Sequence, residues 1–260
     1  SRIDRLRPND KAVLQAASVI GKEFDEPLLA EICELDEVEL GDSLTNLQRT
    51  EFVEETEIFP VNRFTFQHPL TQETANAGLL RKRRKELHSR IATALSARDD
   101  NQLDQNAAVI AQHWEEAGSK DQAAIWFARA AEWSMTADYS AAITNWQKVR
   151  QLVGPAPINP DLIPLAISAN MQLLNLNFRV KVDLELGKVL LDEGKQLAEM
   201  VGDKMLQLQQ RMLFSRIQCG AGDLAGYLAN ARENLAAAQE AKDDGLQLVG
   251  TIMLIDACNY

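Results

Sequence analysis

Cysteine is scarce in this 260-residue chain, and the three present (Cys33, Cys219 and Cys258) lie far apart. The spacing fits no zinc or redox motif and no disulfide framework, and it predicts buried thiols in a reducing cytoplasm. Histidine is equally scarce. None of His68, His88 and His113 has a second histidine three or four residues on, so no helical imidazole pair is offered to a metal. Positive charge is in deficit, 27 Lys and Arg against 38 Asp and Glu, for a net charge of -11. That balance argues against a general nucleic-acid-binding surface. No apolar run is long enough to span a bilayer. The opening Ser1-Arg2-Ile3-Asp4-Arg5-Leu6 has no apolar signal-peptide core and reads as the middle of a longer protein. Thr251 to Tyr260 reads as an apolar helix without a stop signal, so the other end also reads as interrupted.

Catalytic signatures are missing as well. A phosphate-cradling loop needs a glycine, four residues, then Gly-Lys-Ser/Thr, so that backbone N–H groups surround the anion. The nearest approach, Gly21-Lys22-Glu23, has Ala16 in place of the first glycine and a carboxylate in place of the hydroxyl. No local arrangement sets a base beside a serine or cysteine. The chain alone is predicted to be no enzyme and to hold no cofactor.

What is present is mostly helical periodicity. Val13, Leu14, Ala17 and Ile20 space a helix over residues 10–20, stopped by Gly21. Glu26-Pro27 restarts one through Leu28, Leu29 and Ile32. Asp36 is placed to cap a third helix to Arg49, with Glu39 three residues on and Val38, Leu40, Leu44 and Leu47 as its apolar face. Phe52-Val53-Glu54 and Arg63-Phe64-Thr65-Phe66 read as a β-hairpin around an acidic turn with Pro60 and Asn62. Three helices and a hairpin is the order of a winged helix. The third helix carries Asp36, Glu37, Glu39 and Asp42 against Arg49 alone, which argues against DNA.

Beyond the hairpin, Pro69 suits a first helical turn, and a strongly basic helix is predicted to run toward Leu95. Leu79, Leu80, Leu87, Ile91 and Leu95 are its predicted buried stripe. Helices are then predicted over residues 105–117, 120–136 and 139–152. Ala111, Trp114, Ala123, Phe127 and Ala130, then Ala130, Trp133, Ala142 and Trp146, alternate small and aromatic residues as tetratricopeptide (TPR) helices do. Trp126 joins these tryptophans, with core packing and an exposed peptide groove as the two readings. Residues 154–160, with three prolines, form a linker. Asp183-Leu184 then recurs as Asp223-Leu224, and Gly202-Asp203 through Leu208 as Lys242-Asp243 through Leu248. This period of about 40 is that of a helical-hairpin solenoid.

His68 has two readings. It either caps or packs the following helix, or it donates to a nucleotide phosphate held by a preceding domain. The basic run Arg81, Lys82, Arg83, Arg84 and Lys85 is either a solvated face or, through Arg81, Arg83, Arg84 and His88, a docking face for an acidic domain. Residues 81–85 take in every helix phase, so they cannot all meet one partner.

Phe64-x-Phe66-x-His68-Pro69-Leu70-Thr71-Gln72-Glu73, then Leu79-Leu80-x-x-Arg83-Arg84-x-x-Leu87-His88, resembles the region after the ATPase module of bacterial class III adenylate/guanylate cyclases. These carry a STAND-type AAA ATPase and TPR repeats. Arg5-Leu6, Val13 through Gly21, and Phe24 resemble the opening of their winged helix. Ala111 through Gly118, with Ala123-Ala124, Trp126, Arg129-Ala130-Ala131 and Trp133, resembles their first repeat helices. The similarity covers residues 2–152. It departs at Thr74-Ala75-Asn76, where the family has Val-Ala-Tyr.

The residue patterns and the resemblance together predict a mainly α chain in three parts. These are a winged helix over 1–78, a linking helix with the first TPR-like helices over 79–153, and, from the 40-residue period alone, TPR-like repeats over 154–260. The resemblance also implies a non-catalytic regulatory segment. ATP or ADP would be bound by an upstream ATPase, with His68 near the nucleotide, and a cyclase domain would precede that. An unidentified protein or peptide would meet the repeat surface. The alternatives are the arm of a LuxR-type STAND transcription regulator and a free-standing TPR scaffold.

Overall fold

The computed structural model describes residues 2–33, 35–57, 61–98, 103–180, 182–242 and 244–258. It is mainly helical, with one small sheet, and divides into two compact units, Ser1–Ala123 and Ala124–Tyr260.

The first unit begins with a single helical turn at Arg2–Arg5, then α1 (Pro8–Ile20). Pro8 lets α1 start two residues earlier than its apolar spacing predicts, because the first turn needs no N–H there. A short strand β1 (Glu23–Asp25) follows, then α2 (Glu26–Ile32) and α3 (Glu37–Arg49). Asp25 caps α2 by accepting the Leu28 N–H at 2.7 Å, and Asp36 caps α3 by accepting that of Glu39 at 2.8 Å. Strands β2 (Val53–Glu57) and β3 (Arg63–Phe66) complete an antiparallel sheet of order β1-β3-β2. The predicted two-stranded hairpin is therefore a three-stranded sheet. Phe24, paired with Phe64 in register, stacks on it with ring centroids 5.8 Å apart and meets Phe66 edge-on at 5.7 Å. Pro60, predicted in the turn, lies outside the described residues.

The single basic helix predicted after His68 is two helices, α4 (Pro69–Ala77) and α5 (Arg81–Ala97), parted at Gly78. Leu80 stands outside the predicted stripe: as the residue before α5 it is 79% exposed, while Leu79 turns inward. Val38 is likewise 73% exposed rather than on the inner face of α3. Leu87, Ile91 and Ala94 of α5 close a core that includes Val13, Leu14, Leu29, Leu40, Leu47 and Phe64. The unit continues through α6 (Ala107–Ala117), which packs on α5 and ends on left-handed Gly118. The boundary between the units falls within α7 (Lys120–Ser134).

The second unit holds α8 (Tyr139–Val153), α9 (Ile163–Val180), α10 (Leu184–Val201), α11 (Lys204–Gly220), α12 (Leu224–Ala241) and α13 (Asp244–Cys258). Each packs on the next, and α9 also meets α11, as helical hairpins stack in a TPR-like solenoid. The 40-residue period is carried by caps. Asp183 accepts the N–H of Leu186 and Asp223 that of Gly226, both at 3.0 Å, while Gly202 and Lys242 end their helices with φ of 68° and 56°. Asn170, Gly194 and Gln210 form a polar contact in the core. Asn170 Nδ2 donates to the Leu190 carbonyl at 2.7 Å, and its Oδ1 accepts from Gln210 at 3.4 Å. Gly194 leaves room for both side chains. Arg150 on α8 makes a two-pronged pair with Glu193 on α10, both bonds 2.7 Å. Trp146 is fully buried, whereas Trp133 is 49% exposed and does not act as a core residue.

Candidate functional site

β3 delivers the chain to His68 in extended conformation, φ -132° and ψ 130°. Pro69 then fixes the first turn of α4. His68 stands at the cap position but its side chain makes no cap hydrogen bond, and the residue is exposed. It opens onto a groove of about 530 Å³ lined also by Arg2, Ile3, Phe52, Leu70, Thr71 and Thr74. Arg2 is held there by two contacts. Its guanidinium lies 4.9 Å from the centre of the Phe52 ring, and one of its N–H groups donates to the Thr50 carbonyl at 2.6 Å. The mouth therefore combines a cation, an imidazole and the positive end of α4, a combination suited to an anion. No sequence pattern marked Arg2, which reaches this place only because folding brings the opening helical turn beside Thr50 and Phe52, between α3 and β2.

The basic stretch does not present all of its charges on one face. Arg81, Lys82 and Lys85 are exposed, and Arg83 pairs with Glu86 at 3.2 Å. Arg84 reaches back to the Asn76 carbonyl at 2.9 Å, its Nε buried without a partner. It ties α5 to α4. His88 is half-buried and turns toward α6, where its Nδ1 lies 2.9 Å from that of His113. Burial lowers the pKa of both rings, that of His113 to about 4.

A second polar centre that the sequence did not reveal surrounds Asp10, which is wholly buried. It accepts two bonds from Arg7 at 2.8 Å and one from Asn46 at 2.6 Å. Burial pushes its carboxyl upward, but the bonds from Arg7 and Asn46 and the charge of Arg7 prevail, and its pKa falls below the ordinary value. Cys33 is an inert thiol, pushed up to about 11 by burial. The Cys258 side chain lies outside the described residues. Among the described residues no group of three His, Cys, Asp or Glu could hold a metal, and no helix is long and apolar enough to cross a membrane.

No protein-family model matches the chain, and no curated protein does. Among solved structures, a STAND protein with a tetratricopeptide repeat sensor from Pyrococcus horikoshii aligns over 95% of this chain, at 13% identity and a TM-score of 0.42. The chain spans 41% of the length of that protein. A likeness at this level fixes neither fold nor function.

Proposed function

We propose that this chain is a non-catalytic regulatory and protein-interaction segment of a STAND-type ATPase signalling protein, with a class III nucleotide cyclase as the parent. On this reading residues 1–78 are a winged helix, 79–153 a linking helix with the first TPR-like helices, and 154–260 TPR-like repeats. Support for the winged helix comes from the order α1-β1-α2-α3-β2-β3 with the sheet closed as β1-β3-β2. Its α3 is acidic, which suits a protein contact better than phosphate-backbone binding. The stacked hairpins of the second unit suit a surface that receives a protein or peptide.

The carrying observation is His68. It is exposed and uncapped at the start of α4, in a groove shared with Arg2. A capping histidine would bond the start of α4; this ring makes no such bond, which supports its being open to an outside acceptor. On this reading a neighbouring ATPase holds ADP, His68 donates to its phosphate, and the repeats bias that contact. Such coupling requires the contact to differ between the two nucleotide states. Calorimetry of ADP binding to the parent protein tests it. His68→Ala is expected to weaken ADP affinity roughly tenfold, the worth of one charge-assisted hydrogen bond. Unchanged affinity would return His68 to an ordinary surface role.

A further inference from the structure

The second unit contains a groove of about 590 Å³ along α9, α11 and α13 that needs neither His68 nor a nucleotide. Its walls are soft and apolar. Met171 and Phe178 come from α9, Met212 and Cys219 from α11, and Ile252 from α13. Met212 packs with Tyr227 and Ala231 of α12, so the floor is already built. Among the residues lining the groove, Arg216 alone is charged. Met212, Arg216 and Cys219 follow one another at four and three residues, which sets them on one face of α11.

Arg216 is exposed, and its guanidinium lies 5.7 Å from the centre of the Phe178 ring. No carboxylate among the described residues pairs with it. A guanidinium on an aromatic ring keeps its N–H edge free, and that edge fits a carboxylate through two parallel bonds. In a chain with a net charge of -11, a cation with no carboxylate partner among the described side chains, at the rim of an apolar groove, is a specific feature.

We propose that this groove binds a small apolar carboxylate. The acyl or aromatic body lies against Met171, Met212 and Ile252, and the carboxylate pairs with Arg216. The volume falls in the range of small-molecule sites, which combine apolar walls with a few fixed polar groups. The polarizable methionine side chains adapt to an unbranched or a ringed body alike.

Titration calorimetry on the whole chain, with octanoate and 1-octanol as probes, tests the proposal. Octanoate is expected to saturate one site per chain and to bind at least tenfold more tightly than octanol. Arg216→Gln should remove that advantage and leave octanol unaffected. Phe178→Glu sets a carboxylate beside Arg216 and should abolish octanoate binding. Circular dichroism checks that both variants remain folded. Bound octanoate should also slow maleimide labelling of Cys219, mapped by mass spectrometry, and leave Cys33 unchanged. Absence of saturable octanoate binding would overturn the proposal. So would equal affinities for octanoate and octanol, or an Arg216→Gln variant that binds octanoate as the unaltered chain does. Capture of an uncharged apolar peptide amide independently of Arg216 would assign the groove to peptides and overturn it equally.

Discussion

His88 and His113 meet across α5 and α6 with their Nδ1 atoms 2.9 Å apart, so one ring must donate and the other accept. That is possible only while at least one ring is neutral. Desolvation lowers both pKa values, that of His113 to about 4. Around His88, Glu116 acts to raise the pKa and Arg84 to lower it; around His113, His88 lowers it further.

The pair makes stability fall on acidification in a defined window. Unfolded histidines titrate near 6.5, so below that pH the unfolded chain takes up protons that the folded chain refuses. The contribution of His113 is complete above about 6.5 and is lost progressively toward about 4. The loss is on the order of 3 kcal/mol at the lower end. Thermal melts at stepped pH should show this, and His113→Gln should lose most of the slope.

Asp10→Ala removes the acceptor for both Arg7 and Asn46. It leaves the half-buried Asn46 amide N–H without that acceptor and opens a small void. The expected cost is about 3 kcal/mol, read as a lower urea midpoint with an unchanged slope.

Gly194→Ala tests the close approach inside the repeats. An added Cβ would lie 2.6 Å from Gln210 Cδ and 2.8 Å from Asn170 Oδ1, both of which belong to buried side chains. The expected destabilisation is about 1–3 kcal/mol by thermal melting. Asp183→Ala and Asp223→Ala, at matching places in the 40-residue period, should each cost about 1 kcal/mol.

The chain by itself is expected to turn over no ATP. A coupled phosphate-release assay on the purified chain checks this, and turnover that persists through further purification would contradict it.

Local chemistry was readable in the sequence. Gly21 ends α1, Asp36 caps α3, and the recurrence of Asp183 at Asp223 marks equivalent helix starts. Features that depend on distant partners were not. β1 has one inward apolar residue, Phe24, and too short a pattern to register as a strand; it exists because Phe64 and Phe66 lie beside it. His88 looked like part of a basic surface because its partner is 25 residues away. Trp133 and Leu80 fit apolar spacings, yet they stand exposed, since spacing assigns a face and neighbours decide its burial. The His68 groove was half legible. The residue and its helix start were visible, but Arg2 was not, because only folding brings it to Phe52.

The most direct measurement is the release rate of a fluorescent ADP analogue from the parent protein, with and without His68→Ala, using Arg216→Gln as the control. The account predicts roughly tenfold faster release for the His68 variant and an unchanged rate for the control. Equal rates for all three proteins would contradict the claim that this chain reads the nucleotide through His68.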